Sequence, residues 1–200
     1  MERKWADSAP GVHELIRKRW SPRAFSEREV SPEDLVTLLD AARWAASSSN
    51  EQPWRFLVAP KSNPEAFQKI LHLLVPGNQA WAKRAAVLMI MAAKKTFGRE
   101  GRPNPYAMHD TGQAFANLAL QALALGIYVH GMAGFDRERA RVELGIPDDF
   151  ELGAAVAIGY LSSPDELSES LRDRELAKRE RKPLSELVFG AGWNQAPPLL

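Results

Sequence analysis

At 200 residues the chain suits one domain of ordinary size, able to bury roughly 70% of the surface its unfolded form exposes. Charged residues make up 26% and apolar ones 45%, and the net charge is +1, the profile of a soluble globular protein with no global field for nucleic acid. The chain has no cysteine, which excludes disulfides, thiolate nucleophiles and Cys-ligated metals or iron–sulfur clusters.

Met1 to Asp7 has no apolar h-region, and no apolar run approaches the roughly 20 residues that span a bilayer. The expected location is the cytoplasm. Gly11 to Lys18 predicts a short helix with Val12, Leu15 and Ile16 as its apolar side. It delivers Arg19-Trp20-Ser21-Pro22-Arg23, where two guanidiniums flank a hydroxyl. Arg is a rigid, permanently charged fork of donors, Ser adds a short one, and Pro22 fixes a backbone dihedral. Such a turn suits an anion with a second polar edge nearby, such as a phosphorylated cofactor. It is also what a solvated basic turn looks like.

Ser31, Pro32 and Asp34 mark a helix start, and Leu35, Leu38, Leu39, Ala42 and Ala46 recur at helical spacing. The helix fails at Ser47-Ser48-Ser49-Asn50, residues that compete for backbone hydrogen bonds. Trp54 to Val58 reads as a strand. Asn63-Pro64 opens a second helix with Phe67, Ile70, Leu71 and Leu74 inside, which Pro76-Gly77 should end. Asn78 to Arg84 reads as a short helix, and Ala86 to Met91 as a strand covered on both faces. The polar stretch from Lys94 to Pro105 looks like a mobile lid.

From Tyr106 to Leu125 an Ala/Leu-rich helix is apolar nearly all round, hence central, and Gly126 stops it. Ile127 to His130 is a short strand, Gly131 to Gly134 a tight turn, and Asp136 caps a helix ending at Gly145. Gly153 to Leu161 is an apolar strand whose small residues imply close packing on it. Asp165 to Lys182 is dense in charge, after which Pro183, Leu184, Leu187, Val188, Phe189 and Trp193 stand as isolated anchors. Such a tail wraps another surface, either its own body or a second subunit.

Several chemistries lack their signature. There is no G-x-S-x-G elbow, no P-loop and no G-x-G-x-x-G, and His13, His72, His109 and His130 lack metal-binding spacing. His109-Asp110 could be an acid–base pair, but adjacent helical residues point to different faces. Asp148-Asp149, after Pro147, reads as solvated.

Six pieces in order, over roughly residues 11 to 195, resemble the nitroreductase family of flavoproteins. They are Arg19-x-Ser21-x-Arg23-x-Phe25; Ser47-Ser48-x-Asn50-x-Gln52-Pro53-Trp54; Asn78 within Gly77 to Trp81; Asp110 to Ala114 with Asn117-Leu118; Gly131 to Asp136; and the basic Arg179 to Leu184. The resemblance implies an α+β fold with a mostly antiparallel sheet between helical layers. It implies a single domain over residues 1–200, a core of about 11–162 and an arm of about 163–200 exchanged in a homodimer. It implies FMN in two interface clefts and two half-reactions: NAD(P)H reduces the flavin, then a nitroaromatic, quinone or similar electron-poor acceptor takes its place. Other flavin chemistry within the family (reductive dehalogenation, flavin fragmentation) and flavin binding without turnover are the alternatives.

By match, Arg19 takes the phosphate, joined by Arg179 and Arg181 from the tail, and Trp20 and Ser21 stand beside it among the cofactor-binding residues. Arg23 holds a cation at the pyrimidine edge. Met132, Ala133 and Gly134 offer a backbone N–H to flavin N5. Ser47, Ser48, Asn50 and Gln52 match the segment that reaches the other subunit's flavin, and Asn78 faces its ribityl or pyrimidine side. Trp54 and Phe56 read as core. Three departures stand out: Ala133 replaces an acidic residue, Ala46 a proline, and Trp81 a lysine seen in some members.

Overall fold

The computed structural model describes residues 4–98 and 101–198. Its fold is built around β2 (Val87–Lys94), which is buried along nearly its whole length. Leu88, Ile90 and Ala92 face one apolar cluster, and Val87, Met89 and Met91 face another. Strand geometry sends successive side chains to opposite faces, so an apolar run without alternation belongs between two layers. β2 pairs antiparallel with β1 (Trp54–Pro60) on one side and β4 (Phe150–Gly159) on the other. β3 (Tyr128–Met132) completes the order β1-β2-β4-β3, antiparallel throughout.

Helices cover both faces. On one, α5 (Ala107–Ala124) packs Ala114, Leu118 and Ala122 with Leu38 and Ala42 of α2 (Pro32–Arg43). On the other lie α3 (Pro64–Leu73), α4 (Pro76–Ala82) and α6 (Arg137–Glu143), contributing Phe67, Ile70, Trp81 and Ala140. Helices on both sides of an antiparallel sheet make this the expected α+β, three-layer class. Caps fall where the sequence puts them: Ser31, Asn63 and Asp136 each accept the N–H three residues on. Gly159 bears out the close packing expected of β4, since a Cβ there would meet Phe25 Cδ1 at 3.1 Å.

Several boundaries differ. Pro76 does not end α3, because Leu74 already caps it; Pro76 sits at the first position of α4, where its missing N–H costs nothing. β3 runs on through Gly131 and Met132, so the turn shrinks to Ala133-Gly134. The first helix, α1 (Glu14–Lys18), buries no residue and Ile16 is exposed, because the chain folds back over one side only. The predicted lid is pinned rather than loose. Thr96 bridges Pro103, Phe97 and Asn104 are buried, and the Gly98 N–H donates to Glu51 at 2.7 Å. Residues 99 and 100 of that segment lie outside the described residues, as do 1–3 and 199–200 of the single-domain span. No helix among the described residues is long and apolar enough to cross a membrane.

Leu118, fully buried between α2, α5 and the sheet, tests this layering. Leu118→Ala is expected to lower stability by about 2–5 kcal/mol, read as a lower urea midpoint with an unchanged slope.

Candidate flavin site

The Arg19–Arg23 turn leaves α1 and is held by three separate grips. After it, the chain joins the sheet edge: the Ser26 N–H donates to the Tyr160 carbonyl and the Ser162 N–H to the Ala24 carbonyl, both at 2.9 Å. From β3, His130 Nδ1 reaches the Pro22 carbonyl at 2.8 Å. From α7 (Glu169–Leu176), Glu175 accepts the Arg23 N–H with both carboxyl oxygens, at 2.9 and 3.1 Å, and the Ala24 N–H at 3.2 Å. Glu175 is 1% exposed. A carbonyl can only accept, so His130 donates through Nδ1–H. Burial, the largest influence, lowers its pKa from 6.5 to about 4, so the ring is neutral at physiological pH.

The grips converge four guanidiniums. Arg19 is half-buried and its Nη1 lies 3.4 Å from Ser21 Oγ. Burial lowers its pKa, and the Arg181 charge lowers it further. The pKa of Arg179 falls for the same reasons: burial first, then Arg19 and Arg181. Arg179 is itself tied down, donating to the Lys4 and Arg17 carbonyls at 2.8 Å each. Among the described residues, the Arg181 side chain hydrogen-bonds the Glu180 carbonyl alone. Among the described residues, Arg19, Arg23, Arg179 and Arg181 have no carboxylate within ion-pair distance. Partly desolvated cations that repel each other and lack a counter-charge are what a phosphate site needs, because a phosphate monoester carries nearly two negative charges.

Three residues past His130, β3 ends in the Ala133-Gly134 turn. Neither the Ala133 nor the Gly134 amide N–H donates to another described residue. The turn is fixed from behind: the Gly134 carbonyl accepts the Val75 N–H at 3.1 Å and Asn78 Nδ2 at 3.0 Å. A Cβ on Gly134 would meet Val75 at 2.8 Å and Asn78 at 2.9 Å, so only glycine allows this approach. The turn borders a largely apolar cavity of about 460 Å³ with Thr111, Phe115 and Gly131 on its wall. Met132 points into the core, leaving backbone as its contribution. These free N–H donors, the uncompensated cations and the apolar wall fit the edge, phosphate and ring of FMN.

The structure does not unite every expected residue. Trp20 lies edge-on to Tyr128, with the Lys4 ammonium 5.0 Å from its ring, so it braces the N-terminal segment. Trp81, where some members have lysine, is 1% exposed and stacks on Phe25 and on His130, at 4.6 Å from the latter, so it is core. Trp54 is buried as expected and Phe56 half-buried against the α2–α5 cluster.

The loop 47–52 forms its own group. Ser49, Asn50 and Gln52 have φ of 54, 53 and 52°, unusual for residues with a side chain. Ser47 Oγ accepts the Gln52 N–H at 3.0 Å, and Gln52 Nε2 donates to the Asn50 carbonyl at 3.1 Å. The Ser48 N–H donates to Asp110, which is 2% exposed, at 2.9 Å. Asp110 also meets His109 Nδ1 at 3.0 Å, so the two side chains do touch, and the same nitrogen lies 3.2 Å from Gln113 Nε2. No hydrogen bond or ion pair among the described residues joins this loop to the Arg19 turn or the Gly134 turn.

Sequence reading missed Glu175 and His130. A glutamate in a charge-dense tail carries no local signal, whereas His130 could be suspected from its place in an apolar strand beside Gly131.

A model of the Nitroreductase family matches residues 16–160. The chain belongs to the nitroreductase family. Over 152 residues, 73% of this chain and 83% of the relative, it is 32% identical to an Archaeoglobus fulgidus protein provisionally named NADH dehydrogenase/NAD(P)H nitroreductase. It superposes with a TM-score of 0.90 on a crystal structure described as an oxidoreductase containing FMN, 39% identical, over 98% of each chain. A Desulfovibrio desulfuricans family structure solved in complex with FMN gives 0.71 at 25% identity, over 93% of this chain and 99% of the other.

His130 gives the site a pH signature. Above pH 6.5 the folded and unfolded rings are both neutral and its grip is intact. Between 6.5 and about 4 the unfolded chain takes the proton first, so stability falls with the pH and levels off below. His130→Asn keeps a donor for Pro22 but does not titrate. Its thermal midpoint is expected to fall less than that of the parent over this range, read by calorimetry at stepped pH.

Proposed function

We propose that the protein is an FMN-dependent oxidoreductase that takes two electrons from NADH or NADPH and hands them to an electron-poor acceptor such as a nitroaromatic or a quinone. The observation that carries this reading is the set of Arg19, Arg179 and Arg181, without an acidic partner among the described residues: Arg19 on the turn that His130 ties to β3, Arg179 and Arg181 on the arm that follows α7. The family membership and the FMN named for two of the related structures support it.

FMN, when bound, supplies the hydride chemistry. The chain's residues bind and tune it. Arg19, Ser21, Arg179 and Arg181 hold the phosphate. Arg23 offers its charge to the pyrimidine edge, where negative charge accumulates on reduction. Ala133 and Gly134 aim backbone N–H groups at N5, and with alanine at 133 no side-chain acid shares that task. Asn78 steadies the turn through Gly134. Thr111 and Phe115 close the apolar wall and limit water. Each nucleotide leaves before the acceptor enters, giving a ping-pong cycle. The use of a soluble nicotinamide donor fits a cytoplasmic enzyme.

We also propose a homodimer in which Ser47, Ser48, Asn50 and Gln52 complete the partner's site. Two observations support it. The loop has no tie to its own chain's Arg19 turn, and Leu184, Leu187 and Trp193 stand 57%, 57% and 82% exposed.

The purified protein should be yellow, and NADH or NADPH should bleach it without oxygen. A yellow protein that neither nucleotide bleaches would refute catalysis. Arg19→Ala is expected to weaken FMN binding about ten- to a hundredfold, the worth of one charged hydrogen bond; full flavin occupancy on dilution would overturn the phosphate role. Residues 175–181 of the arm lie on their own chain, so exchange is left to the exposed anchors from Leu184 on; removing 179–200 is expected to yield a flavin-free monomer by sedimentation, whereas a dimeric yellow truncation would overturn the role of those anchors.

A further inference from the structure

We infer that Glu175 is a positioning residue that pins the C-terminal arm to the Arg19–Arg23 turn, so that the two halves of the phosphate site assemble as one event. The inference rests on the flavin reading above.

The four cations come from two segments about 160 residues apart in sequence. Nothing in their own chemistry brings them together, since like charges repel. Between them stands one buried side chain. Glu175 spans Arg23 and Ala24 with three backbone hydrogen bonds at 2.9, 3.1 and 3.2 Å. Successive amide N–H groups aimed at one carboxyl make a small anion nest. Pro22 precedes them without an N–H, and Arg23 and Ala24 are the two amides there that find a side-chain acceptor. Without Glu175 they would be buried and unpaired, which a folded chain rarely tolerates.

The rest of α7 could not do this. Among its eight residues only Glu175 is buried, and Leu176 is exposed. Leu171 and the preceding Leu167 pack partly on the core, anchoring the start of the helix rather than its end. Immediately after Glu175 the chain is stitched again: Lys4 donates to the Ala177 carbonyl, and Arg179 to the Lys4 and Arg17 carbonyls. Arg179 and Arg181 therefore follow the pin by four and six residues. No cation lies within ion-pair distance of Glu175 among the described residues. Its hydrogen-bond partners are backbone, so it fixes the place of the turn, while its charge is felt at longer range by Lys4.

Hydrogen exchange and FMN binding test this on the full-length chain. In flavin-free protein, Glu175→Ala is expected to cut protection of the 23–24 amides and of residues 177–182 at least about tenfold. Glu175→Gln, which keeps an acceptor oxygen for both N–H groups, should stay near the parent. Protection unchanged in Glu175→Ala would overturn the pin whether or not FMN binds. With FMN, Glu175→Ala should raise the dissociation constant about tenfold and Glu175→Gln less than about threefold. In an Arg179→Ala/Arg181→Ala background the same Glu175→Ala change should add little, because the groups it delivers are gone. A full tenfold loss in that background would show that Glu175 does not act through the arm. Should Glu175→Ala fail to fold, Glu175→Asp, too short to reach both amides, is read the same way. A parent protein that binds no FMN would refute the flavin reading alone, and exchange would still decide the pin.

Discussion

Concentrating positive charge without a counter-charge is the constraint that shapes this molecule. Burial first, and then the charge of neighbouring guanidiniums, lowers the pKa of Arg19 and of Arg179, and no carboxylate among the described residues lies within ion-pair distance of Arg19, Arg179 or Arg181. A fold that keeps them together in the absence of an anion must hold their backbone by other means. It does so with neutral or backbone-directed contacts: the His130 ring on the Pro22 carbonyl, Glu175 on two amides, and the paired edge at Ala24 and Ser26. An ion pair at any of these guanidiniums would be easier to fold and worse at binding phosphate. The neutral state of His130 belongs to the same logic, because a charged imidazolium there would add to the repulsion.

The sheet and its two layers serve this arrangement by rigid placement. β3 carries both His130 and, a few residues on, the Gly134 turn, so one strand sets the distance between the anion end and the N–H donors. Asn78 ties the turn to α4, and Trp81 of the same helix stacks on His130, so α4 touches both ends of that strand segment. The spacing of the two turns thus follows from the strand rather than from loop adaptation.

Much of this was legible in the sequence, and for stated physical reasons. β2 was visible because burial on both faces demands an unbroken apolar run. The helix starts were visible because capping side chains are local. Arg19, Ser21 and Arg23 were visible as a compact cluster of donors. What escaped detection depended on contacts remote in sequence. Glu175 meets Arg23 across some 150 residues, and the contact leaves no periodicity to find. His109 and Asp110 were expected to diverge because helical geometry separates adjacent Cβ atoms, yet a long ring can fold back to its neighbour. Pro76 was read as a stop when it is a start, since proline suits both the end of one helix and the first position of the next. The lid failed because composition records polarity, while Phe97 and Asn104 are held by partners on other segments.

The loop 47–52 carries three non-glycine residues in left-handed backbone, stapled by Ser47 and by the buried Asp110. Each such residue stores of the order of 1 kcal/mol or more, so the shape is held by Asp110 from the scaffold together with the loop's own Ser47 and Gln52. A loop fixed in this way has little ordering entropy left to lose when anything packs on it. At Asn50, whose φ of 53° suits asparagine better than most side chains, exchange for a β-branched residue would strain the loop even though the side chain is exposed.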